Sequence, residues 1–410
     1  MTANVQKFGL KKEDIGSYLL MAFAFTFPTY VALGNLLAAL IILLWLFEGR
    51  FAQKWQEAKN NPVVLSFLAF VAIHILGMLW TADLAWGLVI LKKQWKFLLL
   101  PIFMSFVRRE HVRYYILAFL LAISMSEVLS YLIWFGLIVP FGSASADNPT
   151  PFMSHISYNP FLAFAVYLLL ENLLFGDALS RWQRFTYATF AVTMTVNMFI
   201  TGGRAGQIMY FLVLALVVFQ FFKKNLLKAV VFCGVLIPAI FLISYNSSQL
   251  FHARVDLAVH EAIHYEEMKK DVAQMQVSSV GLRLTYLVNA VEIFRNNLFF
   301  GVGTGDFRTA YAIVNEKNSP GIDAPDHPHN MYALVGAQLG LAGLLIFLSM
   351  FYFQIKQALR NRDPVLQAVG IGMPLLFMVI MFSDAYLLGH YTTLLFVFFS
   401  AILYKNYEPS

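Results

Sequence analysis

Apolar residues in this chain come in long blocks separated by short polar ones, a pattern that points to helices crossing a bilayer. A spanning helix needs roughly 20 apolar residues, and the block from Ile15 to Phe47 is long enough for two that turn near Pro28 and Gly34, which predicts a helical hairpin. Further spans are expected at Pro62 to Trp80, Phe97 to Val107, Val112 to Pro140, Pro160 to Leu170, Phe185 to Ile200, Ile208 to Phe222, Ala229 to Tyr245, Met331 to Phe353, Val365 to Phe382 and Leu387 to Tyr404. The total is about twelve, the fourth being short. One connection is extended. Within 246–330 an amphipathic stretch runs from Ala253 to Gln276, a second helix is expected from Leu282 to Asn296, and Gly301, Gly303 and Gly305 then force a turn. This segment is too short and too amphipathic to stand as a domain, so the expectation is a single all-α polytopic membrane domain over 1–410 with a mainly helical loop lying on it.

Composition agrees with this reading. The chain is 59% hydrophobic and only 13% charged, too little polar surface to coat a soluble globule. The first apolar block has no small-residue cleavage site after it, so it is expected to remain as a span. The single cysteine, Cys233, rules out an intrachain disulfide. The net charge of +6 is spread over short loops instead of forming a stripe, which argues against a nucleic-acid partner. Lys7, Lys11 and Lys12, then Lys54 and Lys59, Arg108, Arg109 and Arg113, Arg181 and Arg184, Lys223, Lys224 and Lys228, Lys356, Arg360 and Arg362, and finally Lys405 all fall in alternate loops. Short cytoplasmic loops collect Lys and Arg, so both termini are expected on the cytoplasmic side.

The cations that break this rule are therefore informative. Lys92, Lys93, Lys96, Arg204, Arg254, Arg283 and Arg295 fall in loops expected outside. Lysines there can snorkel toward lipid phosphates, but several converging cations would also suit an anionic substrate at the membrane surface. Arg204 lies in Thr201-Gly202-Gly203-Arg204-Ala205-Gly206, a tight turn between two spans. At the exit of the long loop stands Asp326-His327-Pro328-His329-Asn330, and after nine intervening residues come Gly340 and then Gly343.

A His-Asn pair, nine variable residues and Gly-x-x-Gly resemble the O-antigen ligase and polymerase superfamily. The Gly-Gly-Arg204 turn agrees with this, as do the Arg283-Leu284 helix leading into Gly-Val-Gly-Thr-Gly-Asp-Phe307 and the large outside loop shortly before the C-terminus. The resemblance covers roughly the second half of the chain. It implies a GT-C-like membrane glycosyltransferase of the bacterial inner membrane that works without cofactor or metal. Such an enzyme would invert the anomeric centre as it moves a glycan from undecaprenyl pyrophosphate to a sugar hydroxyl of lipid A-core at the periplasmic face. His329 is then the general base, since imidazole titrates near neutrality. Arg204, with Arg283, Lys92, Lys93 and Lys96, would hold the pyrophosphate, and Asn330, His327 and Asp384 would support them.

Other readings compete. The same superfamily contains O-antigen polymerases and protein O-oligosaccharyltransferases, and a transporter could use intramembrane groups such as Glu127 and His74 as a proton relay, although a structural pair or a bundle contact is the simpler role for those two. His260-Glu261-Ala262-Ile263-His264 fits the zinc-protease pattern, with Glu292 as a conceivable third ligand, but the charged residues after it resemble a solvated helix surface. The Gly301 to Gly305 amides could cradle phosphate, though a turn without ligand is the simpler expectation.

Overall fold

The computed structural model describes residues 12–176 and 179–407; Lys7 and Lys11 lie outside them. The described residues form helices throughout, with no strand. In chain order these are α1 (Lys12–Thr26), α2 (Val31–Glu48), α3 (Phe51–Lys59), α4 (Pro62–Gly77), α5 (Leu84–Gln94), α6 (Leu99–Phe106), α7 (Val112–Trp134), α8 (His155–Phe175), α9 (Arg181–Ile200), α10 (Arg204–Phe221) and α11 (Leu226–Ser247). The long connection between α11 and α17 contributes α12 (Gln249–Ile263), α13 (Tyr265–Met268), α14 (Val272–Val277), α15 (Ser279–Asn296) and α16 (Phe307–Asn318). It returns to α17 (Met331–Ala358), α18 (Pro364–Ile380) and α19 (His390–Leu403).

Six helices among the described residues (α2, α7, α8, α10, α11 and α17) are long and apolar enough to cross a membrane. The chain is thus a polytopic α-helical membrane protein. The expected hairpin is α1 and α2. α1, α18 and α19 are apolar but shorter, and α6, where the short fourth span was expected, has only 8 residues. α3 meets α4 at a bend of 98°, because Asn61 accepts hydrogen bonds from the Val63 and Val64 amides and Pro62 starts a new helix there.

Two boundaries differ from expectation for local reasons. α8 starts at His155, not Pro160: the proline falls in the second turn, and the Asn159 amide beside it is held by the Met198 and Gly203 carbonyls at 3.3 and 3.2 Å. The amphipathic stretch from Ala253 to Gln276 is three short helices. α12 ends at Ile263, and Asp271 recaps the chain by accepting from the Ala273 and Gln274 amides.

The core is aromatic. Phe119, Phe161, Phe164, Phe398 and Phe399 interlock with ring centroids 4.7–6.1 Å apart across α7, α8 and α19. α11, by contrast, turns nearly all of its apolar surface outward, as a helix solvated by lipid can. His74 and Glu127, both buried, do not form a pair. His74 hydrogen-bonds the Phe70 carbonyl at 2.8 Å and faces Gln94, whereas Glu127 lies in a polar cluster with Thr193, Tyr131 and Tyr158.

α17 is broken at Gly340, whose φ of 64° leaves the helical region. The backbone groups freed there are taken by the turn after α15. Leu341 and Ala342 donate to the Leu298 and Phe299 carbonyls at 2.8 and 3.2 Å, while Val302 and Gly303 donate to the Ala337 and Gln338 carbonyls at 2.9 Å. A Cβ on Gly340 would strike the Phe299 carbonyl, and one on Gly301 the Gln338 carbonyl. The glycine after the His-Asn pair is therefore a backbone-to-backbone docking point. Gly340→Ala is expected to cost about 1–3 kcal/mol or to prevent folding, whereas Gly234→Ala on the open face of α11 should be neutral or stabilising by up to about 1 kcal/mol. Melting of the two purified variants in detergent checks the contrast; equal melting temperatures would refute it.

Candidate active site

The site is assembled around the start of α17. Asn330 is its N-cap, accepting from the Ala333 amide at 2.9 Å and donating through its side chain to the Phe382 carbonyl at 3.1 Å. The Met331 amide donates to the Met381 carbonyl at 2.9 Å. These bonds lock the first turn of α17 against the end of α18, and Asp384, two residues past Phe382, is thereby brought opposite His329.

His329 has φ 49°, one of only two non-glycine residues with positive φ among the described residues. Such backbone is sparsely populated and, where held, often serves a site. Its Nδ1 lies 3.2 Å from Asp384 Oδ1, an ion-pair distance whose alignment falls short of a full hydrogen bond. The carboxylate is the more enclosed partner, its side chain 14% exposed against 32% for His329, so Asp384 forms the floor and the imidazole edge stays open. Burial alone would raise the Asp384 carboxyl, but the imidazoles of His329 and His327 and the Ala385 amide hold it below the ordinary carboxylate value.

His327 Nδ1 accepts a hydrogen bond from the His329 amide at 3.3 Å and lies 3.7 Å from Asp384 Oδ1. To accept there it must carry its proton on Nε2. Burial lowers its pKa, and His329 and Lys93 add to this against the opposing pull of Asp384. His327, His329 and Asp384 offer ligand atoms within 4.8 Å of one another, a set that could hold a metal ion.

α15 joins this centre to a cluster of guanidinium groups. One turn after Arg283, Tyr286 stacks on the His329 ring at 6.0 Å. Arg283 lies within Coulombic reach of Arg204, as does Arg254 on α12, and the buried Glu261 places an anion beside them. Arg204 Nη2 is buried without a hydrogen-bond partner among the described residues. A buried charged donor without a partner is costly, and a site for an anion accounts for it. Glu261 also accepts from the Val280 amide at 2.8 Å near the start of α15. That structural duty, with His264 beyond the end of α12 and Glu292 engaged by Asn318 and Lys317, leaves the protease-like motif as helix surface.

The lysines divide. Lys93 reaches the neighbourhood of His327 and lies 5.8 Å from the Trp86 ring centroid. Lys92 is exposed on α5, and Lys96 is buried beside His390, donating to the Lys93 carbonyl at 3.4 Å. Burial, with Lys93 nearby, pushes the Lys96 amine down to about 8. Arg295, at the far end of α15, stands roughly 18 Å along the helix from Arg283. The amides of residues 301–306 are all spent on internal bonds, those of Thr304 and Gly305 going to the Gly77 carbonyl and Gln338 Oε1, so this turn does not cradle phosphate.

Sequence reasoning counted Arg254 only among several cations expected outside, weighed Glu261 only as part of the protease-like motif, and did not single out Tyr286 or Arg308. Arg308 stacks on Trp86 at 4.5 Å and pairs with Asp326 at 3.3 Å. Arg254 carried a signal, being a cation in a loop expected outside; Tyr286 and Arg308 carried none, because only the fold brings them to the site.

The fold and site thus define a polytopic helical membrane protein with a His-Asp pair beside clustered arginines at one end of the bundle. Residues 189–348 match the model of the O-Antigen ligase family, which supports membership of the O-antigen ligase/polymerase superfamily. The matched segment contains Arg204, Arg254, Arg283, His329 and Gly340; Lys93 and Asp384 lie outside it. No curated protein matched the chain.

The charge balance at His327 can be read directly. Because Asp384 supports its protonated form, Asp384→Asn should move the His327 pKa further below 6.5. Histidine-selective NMR titration in detergent measures it; an upward shift would contradict the arrangement.

Proposed function

We propose that the protein is an O-antigen ligase of the bacterial inner membrane: a metal-independent, inverting glycosyltransferase that moves a glycan from undecaprenyl pyrophosphate to a sugar hydroxyl of lipid A-core. In this reading the chain has about twelve spans in a GT-C-like arrangement and forms one membrane domain on which the 246–330 loop lies. Both termini are cytoplasmic and the site opens to the periplasm. The observation that carries the proposal is that α15 ties the His329–Asp384 pair, through Tyr286 on the imidazole, to the cluster of Arg283, Arg204 and Arg254.

The chemistry follows from these groups. Pyrophosphate is already a competent leaving group, so the protein must mainly hold its developing charge and align the acceptor. Arg204 and Arg283, with Arg254 beside them, bind the diphosphate oxygens through charged hydrogen bonds, and Lys93 extends the positive field toward His327. The acceptor hydroxyl gives its proton to His329 Nε2 while its oxygen forms the new bond to the anomeric carbon from the face opposite the leaving group. The bond from that carbon to the pyrophosphate oxygen breaks, and undecaprenyl pyrophosphate departs with the electron pair. Asp384 keeps the imidazole oriented and stabilises its charged form, as the aspartate of a hydrolase triad does.

The test is incubation of purified protein with a lipid-linked glycan and lipid A-core in excess chelator, followed by product analysis. Transfer should persist without divalent cations and vanish in His329→Ala and Arg204→Ala. Arg204→Lys should not restore it, because an ammonium cannot reproduce the planar two-donor contact. Asp384→Asn should reduce kcat by about 100- to 10,000-fold, the range of general-base contributions, with little change in KM. Normal transfer by both alanine variants would defeat the proposal. Lengthening of the lipid-linked glycan itself would point to a polymerase, transfer to protein to an oligosaccharyltransferase, and flux without a new bond to a transporter.

A further inference from the structure

His327 and His329 both turn Nδ1 toward one carboxylate oxygen, Asp384 Oδ1, at 3.7 and 3.2 Å. Protons do not account for both contacts. His327 Nδ1 accepts from the His329 amide, so it faces the carboxylate with a lone pair, and two electron-rich atoms gain nothing from each other at that distance. His329 Nδ1 is buried with no hydrogen-bond partner among the described residues. Three atoms able to donate an electron pair therefore converge on one small space, and a cation fits between them.

The spacing indicates which cation. Zinc bonds nitrogen and oxygen at about 2.0–2.2 Å, which at tetrahedral angles sets neighbouring ligand atoms about 3.3–3.6 Å apart; the two observed separations bracket that range. An octahedral ion with bonds near 2.1 Å would draw the ligands to about 3.0 Å, and magnesium and calcium favour oxygen over imidazole. Two imidazoles with a carboxylate suit zinc. The three residues offer ligand atoms within 4.8 Å of one another, so the remaining edge closes by rotation of the partly exposed imidazoles, and the fourth position stays open to solvent. Lys93 and Asp326 act on His327 in opposite senses, which leaves Asp384 as the main counter-charge for a dication.

We propose that His327 Nδ1, His329 Nδ1 and Asp384 bind a zinc ion, and that this ion switches the site off. The second half rests on the reading under Proposed function, in which His329 Nε2 takes the acceptor proton; the first half does not. In the metal-free site the neutral His329 ring carries its proton on Nδ1, beside Asp384, and keeps the Nε2 electron pair free. Zinc takes the Nδ1 pair. The ring then holds its proton on Nε2, with no net gain or loss, and nothing is left to accept a proton from the hydroxyl. Zinc is thus an inhibitor of a reaction that needs no metal.

The test is zinc uptake by the full-length protein in detergent, untagged and first stripped with chelator, in competition with a zinc-sensitive dye. The parent should take up a single zinc ion per chain, unaffected by excess magnesium. His327→Gln and Asp384→Asn should each weaken uptake by about tenfold or more, since even outer-shell partners of a metal are worth about 10- to 100-fold. His260→Ala with His264→Ala, which removes the other close histidine pair, stacked 4.3 Å apart on α12, should bind like the parent. No uptake by the parent, or uptake lost in that double variant and kept in His327→Gln, would overturn the proposal. If the His327 or Asp384 variants misfold, histidine-selective NMR of the parent decides: zinc should move both Nδ1 signals of His327 and His329 to coordinated values with Nε2 protonated, and unmoved rings or coordination through Nε2 would count against it. In the transfer assay zinc should abolish turnover and chelator restore it; full turnover with the site saturated would overturn the inhibitory half. If no transfer occurs at all, the proposed function fails while dye and NMR still judge the zinc site, so the two fail separately.

Discussion

Two hydrogen bonds between the start of α17 and the end of α18 set the geometry on which the candidate site depends. The Asn330 side chain reaches the Phe382 carbonyl and the Met331 amide reaches the Met381 carbonyl. Without them His329 and Asp384 would belong to two unrelated loop ends. With them, the carboxylate lies beneath the imidazole, and the left-handed backbone at His329 turns the ring toward α15. Buried backbone and amide groups need partners, so the bonds that satisfy this helix end also assemble the pair.

Electrostatics on the other flank work in the opposite sense. Arg204, Arg254 and Arg283 repel one another, and Glu261 offsets only part of that charge. Fixed, partly dehydrated cations of this kind gain most from a ligand that is itself doubly charged, since little reorganisation is needed when it arrives. α15 carries both halves of the arrangement, with Arg283 toward the guanidinium cluster and Tyr286 toward the imidazole. A small rotation of this one helix would shift the guanidinium cluster and the imidazole together.

Much of this was legible in the sequence. Hydrophobic blocks revealed the helices because lipid demands long apolar runs, and Arg204, Arg283 and His329 stood out as polar groups next to such runs. Asp384 could be suspected only as a charge at a span end. The structural purpose of Gly340 was hidden, because its partner, the Phe299 carbonyl, is remote along the chain and carries no side-chain signal. Arg308 and Trp86 were invisible for a related reason: their stacking exists only once α16 is laid over α5. Helix ends were misjudged where a proline was read as a boundary, as at Pro160, or where a serine cap was overlooked, as with Ser278 before α15.

The exchange of backbone bonds between residues 298–303 and the broken helix α17 limits how relatives of this protein can be recombined. The same segment continues into Asp306, whose carboxylate accepts from the Ala82 and Asp83 amides at 2.6 and 2.7 Å. The long connection between α11 and α17 is therefore woven into the transmembrane scaffold at both ends of this turn. A chimera that exchanged it alone would inherit mismatched seams, and a workable graft would have to carry the α4 to α5 corner and the first half of α17 with it.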